Sequence, residues 1–292
     1  MKNTREIIRS VRKLEITTKR LVEGLITGNY HSIFKGQGIE FSDIRDYRAG
    51  DDIRAIDWKV TARFNHPFIK EFIEERDLRV YFAFDMSASG SFGSNISKRS
   101  KALETVAGLM FAAMNNNDNV GLFLFTDRIE KYAPARKGRK HVLSLLSKLV
   151  SYEPISPGTD LGAALTYISK VVKRRSVIFI ISDFFTGDFL KPLRILRNKN
   201  DVIALRIVDE REMEIPDVGL IELEDEETGE QLLLDTSDRY FRENFRLLMK
   251  KKGDELGKAL RSVNTDMVCV LTSEPYEVPL KKFFKTRMRM IR

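Results

Sequence analysis

The sequence predicts an α/β protein in which a mostly parallel sheet lies between helices in three layers. Two observations lead to this prediction. From residue 78 onward, short apolar runs alternate with longer stretches whose apolar residues recur every three or four positions. Continuous apolar runs such as residues 80–84 are typical of strands buried on both faces, as parallel strands are. An N-terminal helix and a small irregular segment with short strands precede this part of the chain.

The segment before residue 78 is predicted to be one helix followed by polar turns. Residues 5–27 form an amphipathic pattern that ends at Gly28-Asn29, and we expect this helix to dock on the protein's own core rather than on a membrane surface. Residues 29–78 are dense in turn residues, as in Gly36-Gln37-Gly38. Residues 68–75 alternate as a strand does, and we expect this strand to lie antiparallel to the one that ends at Phe84. We therefore divide the chain into residues 1–77 and 78–292.

The second part of the chain supplies the elements of the predicted sheet. Helices are expected at residues 98–115, 141–149, 160–172 and 238–262, and strands at 80–84, 177–182, 202–208 and 267–272. Residues 120–126 and 129–133 flank Asp127-Arg128 and predict a hairpin. A second hairpin is expected at 222–234, turning at Glu227-Thr228-Gly229, and the basic tail is expected to be helical.

Composition limits the classes of protein that this chain can belong to. Its 292 residues carry a formal net charge of +8, and much of the excess lies in residues 1–22 and 280–292. Solvated termini explain this pattern most simply; an acidic partner surface, anionic lipid or nucleic acid are the alternatives. The single Cys269 lies in an apolar run and is predicted to be a buried thiol. No apolar run approaches the roughly 18–20 residues that span a bilayer, so we expect a cytoplasmic protein.

Polar side chains follow the predicted strands at points that a parallel sheet would bring together. Asp85, Ser87 and Ser89 come directly after the apolar run that ends at Phe84. Thr159 precedes a predicted helix, and Asp183 follows the strand at residues 177–182. Since the carboxyl ends of parallel strands meet at one edge of the sheet, we expect these five residues to meet there.

The chemistry of these five residues suits a hard divalent cation. Two carboxylates neutralise its charge, and three hydroxyls add oxygen ligands, which Mg²⁺ prefers. About six ligands are needed, so one position would remain for an outside group such as a partner's carboxylate. Each residue alone has a commoner role, because Ser, Thr and Asp favour loops and helix caps. The sequence predicts a shared site from their combination.

This arrangement resembles the metal-ion-dependent adhesion site (MIDAS) of von Willebrand factor A domains. That family's pattern is Asp-x-Ser-x-Ser, then a Thr before a helix, then an Asp after a strand, and here Asp85, Ser87, Ser89, Thr159 and Asp183 match it. The resemblance covers residues 78 to about 272. It implies a Rossmann-like, six-stranded, mostly parallel sheet, a Mg²⁺ or Mn²⁺ ion, and binding to an acidic side chain of a partner. It does not imply catalysis.

The upstream segment resembles the DUF58 family. The matching motifs are residues 36–41, Arg45-Asp46-Tyr47, residues 50–58 and Thr61-Ala62-Arg63. This resemblance implies a partner or adaptor of MoxR-type AAA+ ATPases. Many relatives have membrane helices near the N-terminus, and because this chain has none, we expect membrane contact to be peripheral at most.

The DUF58-like segment mixes arginines with aspartates, and two interpretations remain open. The simpler one is an internal ion-pair network that ties the segment to the core. The other is a docking surface with Trp58 as its anchor, because Trp and Arg are frequent at interface hot spots.

We expect a metal-dependent protein-binding module that serves as an adaptor or regulator of a MoxR-type AAA+ ATPase. The expected partner is that ATPase or its client, which would offer an acidic side chain. The main alternative is a metal-dependent hydrolase or phosphoesterase, with Asp160 as a candidate base. Against it, none of the three histidines lies in the candidate loops and no phosphate-binding Gly-rich loop is present. Nucleic-acid binding through the basic ends is a third alternative, but no aromatic platform accompanies the charge.

Overall fold

The computed structural model describes residues 4–26, 40–64, 66–73, 78–93, 96–224 and 231–291. The chain divides into two compact units, one made of residues 1–34 with 78–292 and the other of residues 35–77. The first helix therefore belongs with the strands after residue 78, whereas the sequence analysis had grouped it with residues 29–77. The turns predicted at Gly28-Asn29 and Gly36-Gln37-Gly38 lie outside the described residues. Among the helices of the described ranges, none is long and apolar enough to cross a membrane.

The elements within the described ranges are as follows. The helices are α1 (Thr4–Ile26), α2 (Trp58–Phe64), α3 (Lys98–Asn115), α4 (Arg139–Ser151), α5 (Leu161–Val171), α6 (Leu190–Arg197), α7 (Glu210–Met213), α8 (Arg239–Ser262) and α9 (Glu277–Ile291). The strands are β1 (Glu40–Asp46), β2 (Phe68–Ile73), β3 (Arg79–Asp85), β4 (Asn119–Phe125), β5 (Ile129–Arg136), β6 (Val177–Ser182), β7 (Asp201–Val208), β8 (Leu220–Glu224), β9 (Gln231–Asp235) and β10 (Asp266–Leu271). The helices and strands that the sequence predicted are all present here, with ends shifted by a few residues.

The central sheet of the larger unit has the order β10-β7-β6-β3-β4-β5 in the described residues. All neighbours are parallel except the edge strand β5, which pairs antiparallel with β4 as the predicted hairpin requires. The chain moves from β3 to β4 and β5 and then returns to β6 on the other side of β3. This reversal of direction creates a crevice at the carboxyl ends of β3 and β6, the position where open α/β sheets bind ligands.

Helices cover both faces of this sheet and bury a separate core on each. Phe82 and Phe84 of β3 pack on the face covered by α1, α3, α4 and α9. Their neighbours Tyr81 and Ala83 pack on the other face, beneath α5, α6 and α8. Because both faces of β3 are covered, its residues form the continuous apolar run seen in the sequence. The three-layer α/β fold with a six-stranded, mostly parallel sheet that the sequence predicted is confirmed.

Helix α1 docks on the core of its own unit, as predicted. Val11 is only 7% exposed and packs into the core beneath α3 and α4. On the rim of this contact, the guanidinium of Arg139 donates to the Glu15 carboxylate at 2.6 Å. In the described part of the helix, Ile7, Val11 and Leu14 thus pack inside the unit.

The basic tail forms helix α9, and its apolar face is buried. Leu280 and Phe284 are fully buried, and the Arg287 guanidinium pairs with the Asp201 carboxylate at 2.6 Å. At least one charge of the basic tail therefore stabilises the fold.

The smaller unit has a two-stranded antiparallel sheet, β1 with β2, and the short helix α2 in its described residues. Its aspartates have two different roles. Asp52 and Asp57 accept backbone N–H bonds at the starts of the short helices at residues 53–55 and 58–64. Asp51 instead accepts two hydrogen bonds from Arg45, at 2.8 and 2.9 Å. The side chain of Trp58 is 67% exposed.

Two predictions about strands were wrong. The strand that begins at Phe68 pairs with β1, and not with the strand that ends at Phe84. Cys269 is exposed rather than buried, because β10 is an edge strand whose residues alternate between buried and exposed. Both errors concern the position of a strand in its sheet, which depends on partners distant in sequence. The turn predicted at Glu227-Thr228-Gly229 lies outside the described residues.

Candidate metal centre

The candidate site is built on the central strand β3. Its residues 80–84 are buried, and it pairs with β4 on one side and β6 on the other. Asp85 is the last residue of the strand, so its carboxylate lies where the sheet ends and the crevice begins. The apolar strand thereby fixes the position of the first predicted ligand.

The loop after Asp85 turns back over the sheet edge. The backbone N–H of Ser87 donates to Asp85 Oδ1 at 3.0 Å, which closes an Asx turn. The Arg99 guanidinium donates to the carbonyl oxygens of Met86 and Ser87, both at 2.9 Å. With the loop held in this way, the distance between the hydroxyl oxygens of Ser87 and Ser89 is 3.1 Å. The Asp-x-Ser-x-Ser sequence therefore gathers its three oxygen-bearing side chains on one side of the loop.

Thr159 reaches the same carboxylate from a second loop. Its hydroxyl donates to Asp85 Oδ1 at 3.3 Å, across a separation of 74 residues. The next residue, Asp160, caps helix α5 by accepting the Ala163 N–H at 2.8 Å. Thr159 thus lies at the site, whereas Asp160 serves as a helix cap.

The end of strand β6 brings Asp183 to this edge of the sheet. The Phe185 N–H donates to Asp183 Oδ1 at 3.1 Å and fixes the carboxylate after the strand. The hydroxyl of Ser182 donates to Asp85 Oδ2 at 2.7 Å, a contact that the sequence analysis did not predict. The signal that could have revealed this contact is the position of Ser182, directly before Asp183 at the end of β6.

A small cavity of about 30 Å³ lies among these side chains. Four of the five predicted residues line it, namely Asp85, Ser87, Ser89 and Asp183. Thr159 does not line the cavity but contacts it through the carboxylate of Asp85. Since one water needs about 10–15 Å³ of such space, the cavity has room for an ion or a few waters.

The surroundings of Asp85 disfavour the charged form of its carboxyl group. Burial raises the pKa of the Asp85 carboxyl above its usual value, and the nearby Asp183 carboxylate raises it further. Hydrogen bonds from the Ser87 N–H and the Ser182 hydroxyl oppose this shift. A buried carboxylate with a raised pKa in a crevice is typical of functional sites, since the charged form is costly unless a ligand compensates it.

The donor chemistry fits a hard divalent cation. Carboxylate and hydroxyl oxygens are the ligands that Mg²⁺ and Mn²⁺ prefer, and a cation would relieve the repulsion between Asp85 and Asp183. In the ranges that the structure covers, no group of three or more His, Cys, Asp or Glu side chains could hold a metal. A metal here would therefore depend on the Ser and Thr hydroxyls, and its binding stays a prediction.

Two cationic residues that line the cavity, Lys98 and Arg99, escaped the sequence analysis. Lys98 lines the cavity, and its Nζ lies 3.3 Å from Asp183 Oδ2 and 2.5 Å from Glu212 Oε1. Lys98 is the first residue of helix α3 after the Ser97 cap, a position where the helix dipole disfavours positive charge. That position, and the spacing of Asp209 and Glu212 as a capping box after β7, were the signals that could have found the Lys98–Glu212 pair.

Comparisons with known proteins place this geometry in a family context. The family described as protein of unknown function DUF58 matches residues 43–255. An uncharacterised protein of Mycobacterium tuberculosis is 29% identical over 285 residues, which cover 96% of this chain and 89% of that protein.

Solved structures that the chain is similar to include two more distant proteins. The conserved hypothetical protein BatB of Bacteroides thetaiotaomicron is 16% identical, with a TM-score of 0.48, over 73% of this chain and 99% of that one. The VWA domain of SpRpn10 is 14% identical, with a TM-score of 0.42, over 70% of this chain and 94% of that one. The family match spans more than half of the sequence and includes the candidate site. The chain therefore belongs to the DUF58 family.

Proposed function

We propose that this protein is a metal-dependent protein-binding module rather than an enzyme. The observation that supports this proposal is the convergence of Asp85, Ser87, Ser89 and Asp183 on one small cavity, with the Thr159 hydroxyl on the same Asp85 carboxylate. These residues come from three loops that are distant in sequence. Each loop has a local structural explanation, but none of those explanations requires the loops to meet.

Mg²⁺ or Mn²⁺ is the proposed cofactor, held by Asp85, Ser87, Ser89, Thr159 and Asp183. A bound divalent cation would supply a Lewis-acidic position at which a partner's carboxylate could complete the coordination. The chain's own part is to hold its oxygens in place. The Asx turn at Ser87 and the Phe185 N–H on Asp183 do this before any ligand arrives, which lowers the entropy that binding would otherwise cost.

The proposed partner is a protein that offers an acidic side chain, specifically a MoxR-type AAA+ ATPase or its client. This part of the proposal comes from the DUF58 resemblance, which implies an adaptor or regulator of such ATPases. A cytoplasmic location, at most peripheral contact with the membrane and no role for nucleic acid complete the proposal.

In the described part of the chain, the candidate base of the hydrolase alternative already has another role. Asp160 is occupied as the cap of α5. The ring of His141 is hydrogen-bonded to the Val120 carbonyl at 2.9 Å and does not line the cavity. In the other unit, His66 pairs with Asp46 at 2.9 Å. His31 lies outside the described residues. No specific contact favours catalysis over binding.

The test is affinity capture of the MoxR-type ATPase from the same organism by the purified protein. In Mg²⁺ we expect capture by the wild type and by Asp160→Asn, a control that keeps a good helix cap next to the site. In EDTA, or with Asp85→Ala, we expect capture to be lost while circular dichroism shows a folded protein. Capture that is unchanged in EDTA and by Asp85→Ala would contradict the proposal.

A further inference from the structure

The ammonium of Lys98 lies at the candidate metal centre and pairs with the Asp183 carboxylate. Lys98 is 5% exposed in its side chain, and its two carboxylate partners, Asp183 and Glu212, are 14% and 19% exposed. A cation buried to this degree is stable only while its anionic partners remain. Of the two partners, Asp183 is a predicted metal ligand and Glu212 is not.

Glu212 is fixed in place independently of Lys98. It lies in the short helix α7, and its carboxylate accepts the Asp209 N–H at 3.4 Å as part of a capping box. Asp209 is itself fully buried and accepts the Thr272 hydroxyl at 2.6 Å. The segment that follows β7 therefore places an anion beside the site, and Lys98 lies between that anion and Asp183.

We infer that Lys98 and Glu212 set the affinity of the site for divalent cations, with Lys98 acting as a tethered competitor for Asp183. This inference rests on the proposed function. The ammonium and a divalent cation need the same carboxylate oxygens and repel each other, so Lys98 weakens metal binding. Glu212 draws the ammonium away from Asp183 and so strengthens metal binding. The net charge of Asp85, Asp183, Glu212 and Lys98 is −2, and Arg99, which also lines the cavity, adds one positive charge.

The two residues should therefore change metal affinity in opposite directions. Removing the ammonium with Lys98→Met should tighten Mn²⁺ binding by about tenfold or more, because the positive charge 3.3 Å from Asp183 Oδ2 no longer opposes the ion. Removing the anion with Glu212→Gln should weaken Mn²⁺ binding by about tenfold, because Lys98 then pairs with Asp183 alone. A merely structural ion pair predicts that both variants weaken binding or leave it unchanged.

A double variant separates competition from a simple effect of net charge. Lys98→Met with Glu212→Gln conserves the net charge but frees Asp183, so competition predicts binding tighter than in the wild type. A pure charge effect predicts wild-type affinity. The double variant also keeps the test valid if Lys98→Met alone fails to fold, since it leaves no uncompensated Glu212.

The experiment is isothermal titration of the full chain with Mn²⁺ alone, with circular dichroism to verify the fold. Lys101→Met is a matched control, because Lys101 is a buried lysine of the same helix that donates to the Glu274 carbonyl instead; we expect its Mn²⁺ affinity to match the wild type. Tighter binding by Lys98→Met and by the double variant, with weaker binding by Glu212→Gln, supports the inference.

The failure of this inference differs from that of the proposed function. If the wild type binds Mn²⁺ and neither Lys98→Met nor the double variant binds it more tightly, the inference alone is overturned. If no variant binds Mn²⁺, the inference and the proposed metal site are both overturned. Binding by the Lys98→Met variants but not by the wild type supports the inference and overturns the proposed metal-dependent function.

Discussion

Asp85 and Asp51 lie in different units of the chain, and their carboxyl groups are shifted in opposite directions. At Asp85, burial raises the pKa above its ordinary value. At Asp51, hydrogen bonds from the Arg45 guanidinium and the Arg48 N–H lower the pKa to about 2. The difference shows what each region does with its charge. In the smaller unit, the charge of Asp51 holds a turn in place. At the carboxyl end of β3, the charge of Asp85 lies where burial disfavours it.

The ion pairs of the two regions differ in the same way. Lys98 is 5% exposed and lies between carboxylates that are 14% and 19% exposed, while the members of the Arg45–Asp51 pair are 33% and 21% exposed. Water screens the second pair and competes for its atoms, so it contributes little to stability. At Lys98, little water can replace a charged partner that is lost, so the remaining charge would stay buried and uncompensated.

The largest expected effect is on the stability of variants that lose one cation. In EDTA, Lys98→Met should lower the free energy of unfolding by about 3–5 kcal/mol, the range for breaking a buried pair. Arg45→Met should lower it much less, because water screens that pair. Urea unfolding followed by circular dichroism measures both. Equal effects would remove the distinction between the two regions.

A second prediction sharpens the contrast at Asp85 itself. In EDTA, Asp85→Asn should raise the thermal midpoint by a few degrees, because it removes a buried charge and about 1 kcal/mol moves the midpoint by about 2–4 °C. The same variant should lose Mn²⁺ binding. Differential scanning calorimetry with and without Mn²⁺ measures both effects. The matched variant Asp160→Asn should change neither, and a destabilised Asp85→Asn would show that the charge supports the fold.

The smallest expected effect is on pH dependence. Because Asp51 has a lowered pKa in the folded state, its stabilisation is complete above the ordinary value of 3.8 and is lost as pH falls toward about 2. Asp85 has a raised pKa, so its contribution has the opposite sign, and metal-free stability decreases as pH rises through its titration. Side-chain carboxyl NMR titration should give Asp51 a pKa near 2, and Arg45→Met should return it toward 3.8.

The predicted ligands could be found from sequence because each follows a local pattern. A buried parallel strand appears as an apolar run, and Asp85 and Asp183 stand where two such runs end. The topology of α/β sheets then brings those ends together without any knowledge of contacts. The fold class followed from the same alternation of strands and helices.

The rest of the site depends on contacts that no local pattern encodes. Lys98 meets Asp183 across 85 residues and Glu212 across 114. The sequence analysis placed Lys98 at the start of the helix predicted at residues 98–115 and assigned it no partner. The exposure of Cys269 has the same origin, since an apolar run does not reveal whether its strand is central or at the edge.

If oxygens from three loops hold one divalent cation, Mn²⁺ anomalous diffraction from soaked crystals will locate that ion. We expect a single anomalous peak bounded by Asp85, Ser87, Ser89 and Asp183, which disappears in Asp85→Asn. A featureless map at that position, in crystals where the four side chains are ordered, would contradict it.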